Sequence, residues 1–235
     1  MRITTVLFDL DGTLLPMDEE LFTKAYFKGL TQKLMPHGYE GESLISAVWA
    51  GTKAMIENDG MSTNETVFWK AFSALLGEKC VEDIPVFDDF YRNEFQNVRA
   101  ICGFDPSAKD VISELKSMGL RIVLATNPIF PAIATYSRTR WAGLEPENFA
   151  YISTYENSCY SKPNLLYYQE ILGKLSLSPG ECMMVGNNVD EDMIAKELGM
   201  STFLCPACLI NKQGKDISVY RHGTLQELAS YIRSL

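Results

Sequence analysis

The sequence predicts an α/β fold: a parallel sheet flanked by helices, interrupted after its first strand by an all-helical insertion. Three observations carry that expectation. Five short apolar segments centre on Val6, Val123, Ile152, Met184 and Phe203. Several are near-continuous apolar runs, as expected of strands buried on both faces. From the second strand onward, helical spacing alternates with the strands, which argues for parallel pairing through crossover helices. The stretch 17–100 contains no convincing strand.

Taken in order, the first strand is the apolar run 3–8, which stops at Asp9. Leu21, Phe22, Ala25, Tyr26, Leu30 and Leu34 then trace a helix stripe ending before Pro36. Leu44, Ile45, Val48, Trp49, Met55 and Ile56 trace a second. Ser62-Thr63-Asn64-Glu65 reads as a capping box opening a third helix, through Val67, Phe68, Phe72, Leu75 and Leu76, with Gly77 as its stop. A fourth is expected over 86–98. An insertion at the C-terminal edge of a strand lies over the crevice where such sheets bind ligands, so 17–100 reads as a cap domain and 1–16 with 101–235 as the core. The cap aromatics Phe22, Tyr26, Phe27, Trp49, Phe68 and Trp69 sit at helical spacing and are expected to be core rather than substrate contacts. Further helices are expected over 106–118, stopped by Gly119, over 163–174, over 192–198, closed by Gly199, and over 225–232. The polar loop 211–215 is expected to be exposed.

The chain has 235 residues, 46% apolar, enough for one large or two modest domains with a proper core. A net charge of −9 repels nucleic acid and anionic membranes, so neither is an expected partner. It also disfavours anionic substrates unless a local cation or metal reverses the sign. No apolar run approaches the roughly 20 residues that cross a bilayer, and the start lacks a leader pattern, so a cytoplasmic location is expected. The six cysteines are scattered and read as reduced thiols. Cys205-Pro206-Ala207-Cys208 has a CxxC spacing, but a structural zinc needs four ligands and only His37 and His222 remain elsewhere. The inert reading is preferred. Nothing in the sequence speaks to oligomeric state.

The chemistry concentrates in Phe8-Asp9-Leu10-Asp11-Gly12-Thr13-Leu14. If the backbone stays extended, period two places Asp9 and Asp11 on one side. Two close carboxylates repel, and persist together only when a cation, a shared proton or water offsets the repulsion. At a strand's C-terminal end they suggest a magnesium-dependent nucleophile and acid pair.

This turn resembles the first motif of the haloacid dehalogenase superfamily, in which the first Asp is the nucleophile and the second a general acid and base. Ile122-Val123-Leu124-Ala125-Thr126-Asn127 fits the second motif, a strand ending in a hydroxyl that can donate to a phosphate oxygen. Ser161-Lys162-Pro163 fits the third, a lysine before a helix that offers positive charge to a transferring phosphoryl group. The fourth departs from the pattern. Members carry Gly-Asp with a second Asp four or five residues on, but here the run is Gly186-Asn187-Asn188-Val189-Asp190-Glu191-Asp192. Asp192 fits the second acid, and either register puts an amide in place of the first. An amide oxygen is a hard ligand but brings no charge, so magnesium affinity should fall unless Asp190, Glu191 or Asp192 compensates.

The resemblance spans nearly the whole chain and points to the subgroup with its cap between the first and second motifs. It implies a Rossmann-like core and a magnesium-dependent phosphatase of a small phosphorylated metabolite. It implies Asp9, Asp11, Thr126 and Lys162 as the catalytic set. Leu10, Asp11, Thr126, Asn127 and Lys162 would hold the phosphate. Asp9, Asp11, Asn187 and Asp192 would hold Mg2+, with Asn188 and Asp190 as further candidates. A dehalogenase branch usually lacks the second Asp, so phosphate chemistry is preferred. Two alternatives stay open: a binding module with faded catalysis, motivated by Asn187 and Asn188, and a phosphomutase. A phosphonatase would need a cap lysine, and nothing marks out Lys24, Lys28 or Lys53.

Overall fold

The computed structural model describes residues 3–235, so the first two residues of the expected core segment lie outside it. Among the described residues six strands form one sheet: β1 (Thr5–Phe8), β2 (Arg121–Leu124), β3 (Tyr151–Ile152), β4 (Cys182–Gly186), β5 (Ser201–Leu204) and β6 (Arg221–His222). Their order is β3-β2-β1-β4-β5-β6, and every pairing is parallel. The chain leaves β1 towards β2 and β3 on one side, and later fills β4 to β6 on the other. β1 is therefore the switch point, where open sheets of this kind place their ligands. Phe8 stands level with Leu124 and Val185, so the loops after β1, β2 and β4 leave the sheet together.

Alternation along each strand builds two cores. Val6, Phe8, Ile122, Leu124, Met183 and Val185 face one side, against α6 (Ser107–Ser117) and α9 (Leu225–Arg233). Leu7, Val123, Cys182 and Met184 face the other, against Tyr167, Tyr168 and Ile171 of α8 (Leu165–Leu175). Helices on both faces explain why the strands carry so few polar residues.

Between β1 and β2 the chain is helical: α1 (Glu19–Leu34), α2 (Gly41–Ile56), α3 (Asn64–Leu76), α4 (Lys79–Glu82), α5 (Ile84–Arg92) and a 3-10 helix (Glu94–Ile101). Asp18 caps α1 by accepting from the N–H groups of Glu20 and Leu21. The α1 stripe buries Phe22, Tyr26, Leu30 and Leu34 as its spacing requires, while Leu21 is exposed.

Several expectations shift. The helix expected over 86–98 is broken at Asn93, where backbone φ and ψ are −115° and −82°. The 163–174 helix starts at Leu165, because Asn164 is its N-cap and accepts from Leu166 N–H. The 192–198 segment is a 3-10 helix, Met193–Leu198, closed by Gly199 at φ 87°. The cap of α3 is Thr63 bonding Thr66 N–H, one residue later than the capping box read at Ser62. The sequence reading missed β6, α4 and α7 (Ala132–Trp141). The last buries Thr135, Ser137, Arg138 and Thr139, so it shows no apolar period. The 225–232 helix is present, opened by a capping box of Thr224 and Glu227. Loop 211–215 is largely exposed.

Candidate active site

Asp9 lies one residue beyond β1, yet its N–H still bonds Val185 O at 2.9 Å, so the ladder holds the carboxylate in place. The chain then turns. Leu10 O accepts from the N–H groups of Thr13, Leu14 and Leu15, and Gly12 supplies the left-handed φ of 83°. Among the described residues the Leu10 and Asp11 N–H groups donate to nothing, and Asp11 O accepts nothing. The turn thus presents two donors and one carbonyl beside Asp9.

Lys162 is fully buried and lies between two carboxylates. Its Nζ donates to Asp9 Oδ1 at 2.9 Å and to Asp192 Oδ1 at 2.6 Å. Burial opposes its charge, but Asp192 and Asp9 outweigh that and hold the ammonium well above the usual lysine range. An ammonium has three protons, so one remains for a ligand. Asp192 Oδ2 accepts from Asn188 N–H at 2.9 Å, and a Cβ on Gly186 would collide with that carboxylate. Burial pushes Asp192 upward against the pull of Lys162.

Asp11 has a cation of its own. Arg138 of α7, only 1% exposed, pairs with Asp11 Oδ2 and stacks 4.4 Å from the Phe130 ring centroid. Asp11 Oδ1 is buried without a partner. Burial raises the Asp11 pKa to about 6 despite Arg138, with Asp9 adding to the rise. The two acids therefore persist side by side through two separate cations. Arg138 was missed because nothing in the run Ala132–Trp141 distinguishes it from Arg140, which is exposed.

Thr126 lies at the end of β2. Its carbonyl accepts from Ser153 Oγ at 2.7 Å and Tyr167 Oη at 2.9 Å, while its hydroxyl has no partner among the described residues. Asn127 acts as a brace: its Oδ1 accepts from Lys162 N–H at 3.2 Å and its Nδ2 donates to Glu191 Oε2 at 3.3 Å. Asn187 meets the turn directly. Its Oδ1 is 3.0 Å from Thr13 Oγ1, whose hydroxyl is also 3.3 Å from Asp9 Oδ2, and its Nδ2 donates to Cys208 O at 2.6 Å. A Cβ on Gly12 would collide with the Asn187 amide, so glycine is what permits this approach.

Two of the further candidates are not brought to the cluster in the expected way. Asn188 Oδ1 accepts from the N–H groups of Asp190 and Glu191, capping its own turn. Asp190 is turned to Lys215, 2.6 Å away. Glu191 instead lines the cavity, with its carboxyl raised by burial. Cys205 and Cys208 are free thiols, and their loop serves as the carbonyl buttress of Asn187. Among the described residues no group of three or more His, Cys, Asp or Glu side chains is arranged to hold a metal. The oxygens that remain are the Asp9 carboxylate, the Asp11 carbonyl and the Asn187 amide, all hard donors of the kind magnesium takes. That set fits the ion, with less charge than a second carboxylate would bring.

Above the cluster is a cavity of about 400 Å³, lined by Asp9, Asp11, Thr126, Arg138, Asn187 and Asp192 below and by α1, α2, α3 and α5 above. All six insertion aromatics expected to be core line it: Phe22, Tyr26, Phe27, Trp49, Phe68 and Trp69. Tyr26 packs on Phe27, Phe27 on Trp49 and Phe68 on Trp69, and all six line the cavity, because the helices enclose the space as well as each other. Lys24, Lys28 and Lys53 do not line it.

The family model for haloacid dehalogenase-like hydrolases matches residues 3–199. The chain belongs to this family. As a haloacid dehalogenase-like hydrolase it is similar to pyrophosphatase PpaX of Bacillus velezensis, 25% identical over 86% of this chain and 82% of that one. It is 28% identical to the glyceraldehyde 3-phosphate phosphatase of Methanothermobacter thermautotrophicus, over 92% and 95% of the two chains. Among solved structures it shares its fold with the HAD-hydrolase YfnB of Bacillus subtilis, whose crystal structure holds magnesium. The TM-score is 0.59 at 22% identity, over 99% of this chain and 100% of that one. No helix among the described residues is long and apolar enough to cross a membrane.

Proposed function

We propose that this hydrolase is a magnesium-dependent phosphatase of small phosphorylated molecules, working through an aspartyl-phosphate on Asp9. The observation that carries the reading is the pairing of two unlike acids. Asp9 accepts from the buried Lys162 ammonium, and Asp11, raised to about 6, can carry a proton. Giving two neighbouring carboxyls unlike surroundings is how a site assigns nucleophile and acid. The phosphatase relatives support the substrate class.

Asp9 attacks phosphorus while Lys162 fixes its Oδ1. Asp11 gives its proton to the leaving oxygen, then as a carboxylate takes one from the water that hydrolyses the intermediate. The Thr126 hydroxyl, the third Lys162 proton and the N–H groups of Leu10 and Asp11 hold the phosphoryl oxygens. Asp9, the Asp11 carbonyl and Asn187 would hold magnesium, which when bound neutralises charge on the phosphoryl group. Asp192, expected among the magnesium ligands, has its two oxygens engaged by Lys162 Nζ and Asn188 N–H and serves chiefly to position Lys162, while Asn127 braces the loop. The helices of 17–100 act as the cap over the core of 1–16 and 101–235.

A panel of phosphomonoesters assayed with magnesium and with EDTA tests the reading. Wild type should turn over with magnesium only. Asp9→Asn should lose all measurable turnover while keeping its circular dichroism and melting temperature. A variant that retained the wild-type rate would remove Asp9 as nucleophile. No turnover and no magnesium binding by wild type would favour a binding module, the reading that Asn187 and Asn188 motivate.

A further inference from the structure

We propose that the cavity accepts a phosphomonoester whose leaving alcohol bears an uncharged aromatic ring with a hydrogen-bond acceptor. The inference rests on the phosphatase reading and adds the substrate class.

The walls are the first observation. Phe27, Trp49, Phe68, Trp69, Phe130 and Tyr155 all line the space. The rings are set edge to face or tilted: Phe68 and Trp69 centroids are 5.3 Å apart at 89°, Phe27 and Trp49 5.4 Å apart at 52°. Aromatic walls of this kind accept another ring through offset and edge contacts. A volume of about 400 Å³ is that of a small-molecule site and leaves room beyond a phosphoryl group.

The charges are the second. The cavity is lined by two cations, Arg138 and Lys212. Arg138 is already paired with Asp11, and Lys212 is exposed on the polar loop. A second anionic group on the substrate, such as a carboxylate or another phosphate, would lie against rings and beside Glu19 and Glu191. Beyond the reach of Lys212, which acts on Glu191, stripping its water would go uncompensated.

The third is Trp69 Nε1, a buried donor with no hydrogen-bond partner. The Tyr155 hydroxyl is an acceptor within its reach: burial raises the Tyr155 pKa and hydrogen bonding with the indole pulls it down, but the geometry falls short of a full hydrogen bond. Buried indole N–H groups nearly always find an acceptor, and the Trp69 ring lines the cavity. A substrate acceptor would satisfy it.

The test compares kcat/KM for benzyl, 3-pyridylmethyl, 4-pyridylmethyl and ethyl phosphates and for phosphoglycolate, with magnesium, in wild type and Trp69→Phe. The four simple esters leave as primary alcohols, so among them the comparison reads mainly binding. Benzyl phosphate should exceed ethyl phosphate and phosphoglycolate at least tenfold. At least one pyridyl ester should exceed benzyl phosphate in wild type and lose that margin in Trp69→Phe. Ethyl phosphate or phosphoglycolate equalling benzyl phosphate overturns the aromatic subsite. A pyridyl margin that is absent in wild type, or survives in Trp69→Phe, overturns the role of Trp69. If no ester is hydrolysed, the phosphatase reading fails, and calorimetry on Asp9→Asn still decides the cavity. Benzylphosphonate binding at least tenfold tighter than methylphosphonate upholds the subsite, and equal binding overturns it.

Discussion

Asn187 shows how one side chain sets the cation affinity of a site. Its amide oxygen faces the turn because Cys208 O holds the Nδ2 side at 2.6 Å and because Gly12 leaves room. A carboxylate there would add charge to the ligand set, the main lever on affinity for a hard cation. It would also leave Cys208 O facing another oxygen, which costs about 1–3 kcal/mol when a buried acceptor loses its donor. Asn187→Asp should therefore bind magnesium about tenfold more tightly and melt earlier when the metal is withheld. Calorimetric titration with magnesium checks this, and unchanged affinity would remove Asn187 from the metal site. Arg138 teaches the complementary lesson. A buried ion pair contributes little net stability, yet removing one partner strands the other. Its evident use here is to hold Asp11 next to Asp9.

At the scale of elements, the insertion is fastened to the core through the first residue of α3. Asn64 is fully buried, and its Nδ2 donates to Ser161 Oγ at 3.0 Å and Pro128 O at 3.1 Å. Its Oδ1 accepts from Asn58 Nδ2 at 2.9 Å, and the N–H groups of Asn64 and Glu65 bond Ser158 O and Tyr155 O. One helix start thus grips the loops that carry Thr126 and Lys162. Asn64→Ala should cost about 2 kcal/mol through the groups it leaves unpaired and raise KM as the cap loosens. A thermal melt with steady-state kinetics reads both, and wild-type values in each would refute the fastening. Helices with an apolar stripe, such as α1, were legible because their buried side is written as spacing. α7 was not, since it packs Thr135, Ser137, Arg138 and Thr139 inward, and polar burial leaves no period to find.

For the whole molecule, an excess of acid is concentrated where a cation is required. The chain carries −9 in total, and Asp9, Asp11, Glu19, Glu191 and Asp192 line one cavity. Binding a cation to the folded state alone stabilises it by about 2.7 kcal/mol at a hundred times Kd. For a chain of this size that raises the melting temperature by about 5–10 °C. Differential scanning fluorimetry with and without magnesium should show the rise in wild type and lose it in Asp9→Ala. Equal melting temperatures at saturating magnesium would argue against a folded-state metal site.

The sequence by itself determined five of the six strands and the helical insertion after the first of them, and its motif resemblance implied the cluster of Asp9, Asp11, Thr126 and Lys162. The strands and the insertion are set by local spacing, as apolar runs and helical stripes, and the cluster was legible through the resemblance of short motifs at strand ends. Only the tertiary structure decided which cation serves which acid, that Asp190 turns away while Glu191 turns in, and that the insertion aromatics wall a cavity. Those outcomes depend on contacts between residues far apart in the chain, such as Arg138 with Asp11 and Asn64 with Ser161, and no local pattern encodes them.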